Sequence, residues 1–400
     1  MDSAPDLNFV DEFISISGST LWRERLGGLR DAATPPTRFS RAVQQVHAIE
    51  LMIDRLRGRM PDRVLTGPER LIAELVAEAV RVHARLSTAG QARFRDLLAD
   101  GLRDDRCLIP AFHMLRTAAM QRSRGFEVGY AALEDGAPFD LSIRSGGAEA
   151  EIACDVISAE EGRVVHRGAW HRLVDRIDPD LQTWLRSHPG RYLLKLTFPL
   201  GLKLPAPDEE GLLPALHARI TQMLAAQKRT DGDEAVMLRL DPLMLAAAQA
   251  DELGLMPRLR KEFGPEAQLA VTTAGGGLFV IAARGGQQNE VAAAVRRRMA
   301  AIVPARLTGT KPGILAMFVE DTDRLEWRLL RERLELEGEA RQFMTNPEAR
   351  GVVAVTCSSR LELFGIGEPD GAADGELRFR NPAHPAAKQP ELAPAVLSSI

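Results

Sequence analysis

The sequence predicts an α+β protein, in which a helical N-terminal domain precedes a mixed α/β part. Up to about residue 100, apolar residues recur at the spacing of amphipathic helices, with Pro and Gly at the breaks. From residue 107 onwards, short apolar or alternating runs are interleaved with helical segments, which is typical of a sheet packed with helices. The predicted boundaries are 1–103 (all-helical domain), 104–204 (core), 205–372 (C-terminal mixed α/β portion) and 373–400 (terminal strand and Pro-rich tail).

The elements follow in chain order. The N-terminal helices are predicted in FSRAVQQVHAIELMIDRLRG and in GPERLIAELVAEAVRVHARLSTAGQARFRDLLADGL. The core begins with the helix CLIPAFHMLRTAAMQRSRG and continues with three strands, a second helix and a fourth strand, at 126–133, 138–145, 148–157, 168–187 and RYLLKLTF. The predicted order of the core is therefore αβββαβ.

The C-terminal portion is predicted to alternate in the same way. A helix near 211–228 and the strand AVMLRL precede a hairpin, QLAVTTAGGGLFVIAAR, whose glycines lie between two strands and so indicate a turn and not a phosphate loop. After the helix NEVAAAVRRRMAAIV, whose run Arg296–Arg298 is expected on a solvated face, PGILAMFVED and GVVAVTCSS flank a helix and are expected to pair in parallel. The last twenty residues contain four prolines and are expected to form a loose tail.

Composition excludes several classes of protein. The formal charge is -4 over 400 residues, so any contact with nucleic acid requires a local basic patch. The three cysteines lie far apart and form no CxxC pair, which argues against a disulfide framework or a structural zinc site and favours a reducing cytoplasm. The N-terminus lacks the pattern of an export signal, and no apolar run has the length of a membrane span, so no membrane partner is expected.

Acidic residues recur along the second and third predicted strands of the core. Because alternate strand residues share a face, Asp140, Glu151 and Asp155 are expected on one side, opposite Ile152 and Cys154. A divalent cation is a common means of stabilising such a carboxylate cluster. The alternative is a half-exposed sheet with ordinary polar residues facing water.

The same stretch resembles a known family. A helix ending in RSRGFEV, then FDLSI, a Gly-containing turn and EIACDVISAEEGR are similar to the PD-(D/E)XK phosphodiesterases of the restriction-endonuclease-like superfamily. The resemblance covers roughly 107–200, and GTKPGILAMFVED resembles a late strand of some members. It implies a restriction-endonuclease-like core, in which an Asp on the second strand and an acid-x-Lys on the third hold Mg²⁺ and orient the attacking water. Asp140 matches the first acid.

The third strand departs from the family pattern, because Ala153-Cys154-Asp155 stands where Glu-x-Lys is expected. Asp140, Glu151 and Asp155 remain the candidate Mg²⁺ ligands. The chain has only six lysines, and Lys195, in RYLLKLTF, is the one expected to lie in the same sheet and to replace the missing cation. The alternative interpretation is that Lys195 is an exposed strand residue without a catalytic role. His113 stands near the helix position at which some members carry a further Glu.

A basic group follows the third strand. Arg163, His166, Arg167 and Arg172 lie beside the carboxylates in sequence and are the candidate contacts to DNA phosphates. Because aspartates follow directly, a solvated helix face is the alternative.

Together these residues predict a nuclease-like protein with Asp140, Glu151, Asp155 and Lys195 as catalytic residues, Mg²⁺ as cofactor and DNA as partner. The alternative is a catalytically inactive descendant that acts as a binding or scaffold module. An unrelated small-molecule enzyme that uses the same acidic face is a third, weaker hypothesis.

Overall fold

The computed structural model describes residues 8–58, 63–103, 107–203, 211–243 and 252–399. The chain divides into two compact units. Unit 1 comprises Met1–Thr34, Gln44–Ala159 and Ala292–Ile400, and unit 2 comprises Pro35–Val43 and Glu160–Val291. No helix in the described part of the chain is long and apolar enough to cross a lipid bilayer.

Helices dominate the N-terminal part of unit 1, as the apolar spacing predicts. The bounds are α1 (Asn8–Ser17), α2 (Ser19–Ala33), α3 (Arg38–Val46, which begins in unit 2), α4 (Ala48–Arg57), α5 (Gly67–Arg85), α6 (Thr88–Gly101) and α7 (Ile109–Ser123). Helix α5 begins at a capping box, in which the Thr66 hydroxyl accepts from the Glu69 N–H and the Glu69 carboxylate accepts from the Thr66 N–H. These helices share one hydrophobic core with the sheet that follows.

The sheet of unit 1 has six strands. They are β1 (Glu127–Gly129), β2 (Leu141–Ser145), β3 (Ala148–Ser158), β9 (Gly313–Glu320), β10 (Val352–Ser359) and β11 (Leu377–Arg380), in the order β1-β2-β3-β9-β10-β11. The β1-β2, β2-β3 and β10-β11 pairs are antiparallel, whereas β3-β9 and β9-β10 are parallel. The Gly146–Gly147 turn between β2 and β3 has positive φ at both residues, which favours glycine. The predicted parallel pairing of β9 with β10 is confirmed.

Six further helices belong wholly or largely to unit 1. They are α8 (Ala131–Asp135), α12 (Val291–Arg306), α13 (Arg324–Glu332), α14 (Glu335–Met344), α15 (Arg360–Leu363) and α16 (Ala393–Val396). The predicted loose tail is wrong, because Leu392, Ala395 and Val396 are fully buried in the shared core. Prolines 385, 390 and 394 stand in the first turns of short helices, where a missing N–H costs nothing.

Unit 2 contains a five-stranded sheet with helices. Its elements are α9 (Arg167–Ser187), β4 (Arg191–Phe198), α10 (Leu213–Ala225), β5 (Thr230–Gly232), β6 (Met237–Pro242), α11 (Glu252–Phe263), β7 (Gln268–Ala274) and β8 (Gly277–Gly285). The strand order is β5-β6-β4-β8-β7, and only β4 and β8 are parallel. The predicted β7-β8 hairpin is confirmed, with Gly275 and Gly276 at positive φ in its turn.

The last strand of the predicted core lies elsewhere. RYLLKLTF forms β4, which pairs with β6 and β8 in unit 2, whereas β3 pairs with β9 in unit 1. The strand that lies parallel to β3 is therefore ILAMFVE at 314–320, and unit 2 is inserted in the connection between the two.

Candidate functional site

The acidic residues of β2 and β3 do share one side of the unit 1 sheet. Ile152 and Cys154 belong to the core shared with the N-terminal helices, so Glu151 and Asp155 lie on the opposite side. The Asp140 N–H donates to the Ile152 carbonyl at 3.0 Å, which continues the β2-β3 ladder and places Asp140 on the side of Glu151 and Asp155. The predicted alternation is therefore confirmed.

This side of the sheet is not the half-exposed face that the sequence predicted. Glu151 is 2% exposed and Asp155 is 8% exposed. Their carboxylates are covered by α12 and by the segment that follows it. The parallel pairing of β3 with β9 requires a crossover element on one face of the sheet, and α12, immediately before β9, provides it.

Four contacts join α12 and the following segment to the acids, and we call them the α12 clamp. Arg298 donates two hydrogen bonds to Asp155, at 2.5 and 3.0 Å. Arg306 donates to Asp140 at 2.6 Å and to the Pro138 carbonyl at 2.8 Å.

The remaining two contacts lie nearer the start of β3. The Thr308 N–H and hydroxyl donate to the two carboxylate oxygens of Glu151. Lys311 Nζ lies 2.8 Å from Glu149. Each acid on this side of β2 and β3 thus has a donor from residues 298–311, and two of the four donors are guanidinium groups.

The pKa values of two acids in the α12 clamp shift in opposite directions, because one is more deeply buried than the other. Burial raises the pKa of Asp140, and this effect exceeds the opposing effects of Arg306 and of the Cys154 N–H, which donates to Asp140 at 2.7 Å. Glu149 is closer to solvent, and its hydrogen bond with Lys311 lowers the pKa of its carboxyl.

The third strand offers no acid at position 153, where the sequence resemblance leads one to expect it. Ala153 is fully buried and presents a methyl group there, and Asp155 is bound to Arg298. Among the residues that the structure describes, no three His, Cys, Asp or Glu side chains are grouped in a way that could hold a metal ion. The geometry of this face suits attachment of a helix.

The predicted replacement cation, Lys195, does not lie in this sheet. It is on β4 in unit 2, where its Nζ is 3.5 Å from Asp241 and 5.9 Å from the centre of the Phe263 ring. The prediction that Lys195 shares a sheet with the carboxylates is wrong, because β4 pairs only with strands of unit 2.

The predicted phosphate-binding group is built around an acid. Arg163 is 4% exposed and forms an ion pair with Glu160, so its guanidinium is withdrawn from the surface. The Arg167 N–H donates to Glu160 at 2.8 Å, and His166 lies 3.8 Å from the same carboxylate. Burial lowers the pKa of His166. Glu160 therefore pairs with the Arg163 side chain and accepts from the backbone at the start of α9.

Arg172 also contacts another side chain, although it remains exposed. Its guanidinium lies 4.5 Å from the centre of the ring of Phe39, in the first turn of α3. Asp175 accepts from the N–H groups of Arg38 and Phe39 at 3.0 and 2.8 Å, which caps the N-terminus of α3.

His113 is a core residue. It is 2% exposed on α7, and its Nε2 lies 2.8 Å from the Ala316 carbonyl on β9, so the ring donates there. Burial lowers the pKa of His113 to about 4, which keeps the imidazole neutral near pH 7. Because Ala316 belongs to the shared core, His113 lies across the sheet from Glu151 and Asp155.

A second buried polar cluster lies at the carboxyl end of β9. Glu320 accepts from Arg360 Nε at 2.6 Å, and Arg360 also donates to the backbone carbonyls of Gln45 and Val46. Burial outweighs the attraction of Arg360 and raises the pKa of Glu320 to about 7. Nearby, Glu50 is fully buried, with His47 Nδ1 3.5 Å from its carboxylate. This cluster ties the α3-α4 junction to the end of β9.

Sequence reasoning missed the cations of the clamp. In the run Arg296–Arg298, which is expected on a solvated face, Arg297 and Arg298 are indeed exposed, but Arg296 pairs with Glu339 and Arg298 with Asp155. No local signal reveals these pairs, because α12 covers the acids only through the parallel pairing of β9 with β3.

A scan against protein-family models finds no match, and neither curated proteins nor solved structures yield a significant match.

Proposed function

We propose that this protein is a non-catalytic relative of the PD-(D/E)XK nucleases and acts as a binding module. The observation that carries the proposal is the pairing of Asp140 with Arg306 and of Asp155 with Arg298. Both guanidinium groups come from α12, so the face on which the family holds its metal here attaches a helix to the sheet.

The arrangement of unit 1 supports the family resemblance. Helix α7 leads into β1, β2 and β3, which pair antiparallel in sequence order, and α12 leads into β9, which is parallel to β3. This is the αβββαβ order of the resemblance, with unit 2 inserted between β3 and α12.

Charge and donor type argue against Mg²⁺ on this face. A cation is needed where carboxylates repel one another, and Arg298 and Arg306 already provide positive charge. Asp155 and Asp140 are already hydrogen-bonded to these arginines, so a metal ion would have to displace charge-assisted contacts that the fold provides. Ala153 supplies no ligand oxygen. The residues present therefore do not fit the family's metal site.

The test combines cleavage with metal-dependent stability. Purified protein should leave plasmid DNA, linear DNA and RNA intact with Mg²⁺ or Mn²⁺ at neutral pH, and Mg²⁺ should not shift the melting temperature relative to EDTA. The Asp140→Asn variant serves as the control for contaminating nuclease. Cleavage that Asp140→Asn abolishes would establish the competing function, a Mg²⁺-dependent nuclease.

A second pair of variants separates a lost metal site from a masked one. Arg306→Ala removes the cation beside Asp140, whereas Arg306→Lys keeps it. Under the proposal neither variant gains metal-dependent cleavage, because Ala153 still supplies no oxygen ligand for a metal ion. Cleavage gained by Arg306→Ala and not by Arg306→Lys would show that the arginine masks a working site.

A further inference from the structure

The two faces of the unit 2 sheet differ in charge. One face packs against α9 and α10 through residues that include Leu194, Leu196 and Leu238. Because alternate strand residues share a face, the basic residues of the strands fall on the other face. They are Arg191, Lys195, Arg239 and Arg284. Among the five described strands, the one acid on that side is Asp241, so this face of the sheet is basic.

Helix α11 covers only part of the basic face. Its Leu255 and Leu259 join strand residues in a small hydrophobic cluster. Beyond this cluster, the side chains of Lys195 and Arg239 are 42% and 66% exposed, and Arg284 is exposed as well. We call these three cations the basic patch.

The positive charge of the basic patch is only partly compensated. Lys195 and Arg239 stand directly opposite each other on β4 and β6, where like charges repel. Both contact Asp241, whose carboxylate lies 3.5 Å from Lys195 Nζ and 3.0 Å from Arg239 Nε. One carboxylate shared by two cations leaves one positive charge. Arg284 adds a second, because its guanidinium has no ion-pair partner among the described residues.

Apolar side chains accompany these cations. The ring of Phe263 is only partly buried, and its centre lies 5.9 Å from Lys195 Nζ. Met237 shares a face with Arg239 and is 52% exposed. A single-stranded nucleic acid matches both features, because its phosphates pair with cations and its unpaired bases pack on exposed apolar groups. The bases of a duplex are stacked inside and cannot reach these side chains.

We propose that the basic patch of unit 2 binds the backbone of single-stranded nucleic acid, with bases packed on Phe263 and Met237. Arg284 lies one same-face position beyond Lys195, about 6.6 Å along the strands, so the two cations can contact successive phosphates. Phosphate contacts of this kind carry no sequence preference. The inference names a partner for the binding module proposed above and rests on that proposal, but it uses no residue of the α12 clamp.

The test uses fluorescein-labelled oligothymidine and oligouridine of 12 nucleotides, with binding to the full chain followed by fluorescence polarisation. Three phosphate contacts at about 0.7 each predict a slope of about -2 for log affinity against log salt. Lys195→Gln/Arg284→Gln should weaken binding at least ten-fold at 50 mM salt and reduce the slope to about -0.7. Asp241→Asn removes the acid that competes with the phosphates, so it should bind several-fold more tightly than the wild type.

The matched control is Arg186→Gln, which changes an exposed arginine of α9, the helix that packs against the opposite face. It should bind like the wild type. The proposal is overturned if the wild type binds neither oligonucleotide at 100 µM protein and 50 mM salt, or if Arg186→Gln weakens binding as much as the double variant. It is also overturned if a duplex of the same length or polyglutamate binds equally well. None of these outcomes alters the cleavage and metal-stability results, so failure of this inference is distinguishable from failure of the proposed function.

Discussion

Two buried groups of unit 1 should impose opposite pH dependences on its stability. Burial raises the pKa of Glu320 from 4.5 to about 7, so between these values the folded chain retains a proton that the unfolded chain has lost. The free energy of unfolding therefore falls as the pH rises through this window, by about 3 kcal/mol at 1.36 kcal/mol per pKa unit. Burial lowers the pKa of His113 from 6.5 to about 4, so stability rises through that window by a similar amount.

The two contributions overlap between about pH 4.5 and 6.5 and cancel there. We therefore expect a nearly flat contribution from this pair in the wild type over that range. Glu320→Gln removes the falling contribution and should expose a rise of about 3 kcal/mol between pH 4 and 6.5. Urea titrations from pH 4 to 8, followed by circular dichroism, measure the difference between the two proteins.

The control is Glu348→Gln, which changes an exposed glutamate of the same unit. Its curve should run parallel to that of the wild type. A Glu320→Gln curve that is also parallel to the wild type at all pH values would refute the assignment of a near-neutral pKa to Glu320. In a His113→Gln/Glu320→Gln double variant, both contributions should vanish and the curve should again be flat over this range.

Three further outcomes follow from the site. In a double-mutant cycle, Arg298→Ala and Asp155→Asn should show a coupling of about 1–2 kcal/mol in urea unfolding, and a coupling near zero would contradict the α12 clamp. Cys107, whose pKa burial raises to about 12, should react with iodoacetamide at pH 8 far more slowly in the native chain than in urea, as peptide mapping would measure. Binding to duplex DNA in gel-shift titrations should be weak and lost between 50 and 200 mM salt, because Arg163 is buried in an ion pair with Glu160 and the chain has a formal charge of -4, and tight binding that ignores salt would contradict this.

Local patterns in the sequence identify the hairpin and its alternation. The Ser-Gly-Gly turn and the period of two in 148–157 are sufficient to place Ile152 and Cys154 on the core side. The neighbour of β3 could not be predicted in the same way, because unit 2 separates β3 from β9 and no local signal marks the insertion. Strand pairing at that separation is decided by burial of the whole sheet.

The proline-rich C-terminus shows a different limit. Composition indicates a loose segment, but three of its four prolines stand where a helical turn begins, and the small and apolar residues between them fill the core. The missed arginines have a related cause. On a helix surface an arginine that reaches a buried acid looks like any other arginine in sequence, and only the sheet beneath α12 shows that Arg298 pairs with Asp155.

The negative charge at position 155 is balanced by the helix that covers this side of the sheet. The family resemblance expects a lysine on the strand, beside acids that hold a metal, so that positive charge comes from the strand and from the ion. Here the strand carries Asp155 and the helix carries Arg298, which reverses the polarity of the pair. An acid at 155 adds negative charge next to Asp140 and Glu151, and that is tolerable only with cations at close range. Arg298 and Arg306 provide them from one helix, so attachment of α12 and the acid at position 155 are two aspects of one arrangement.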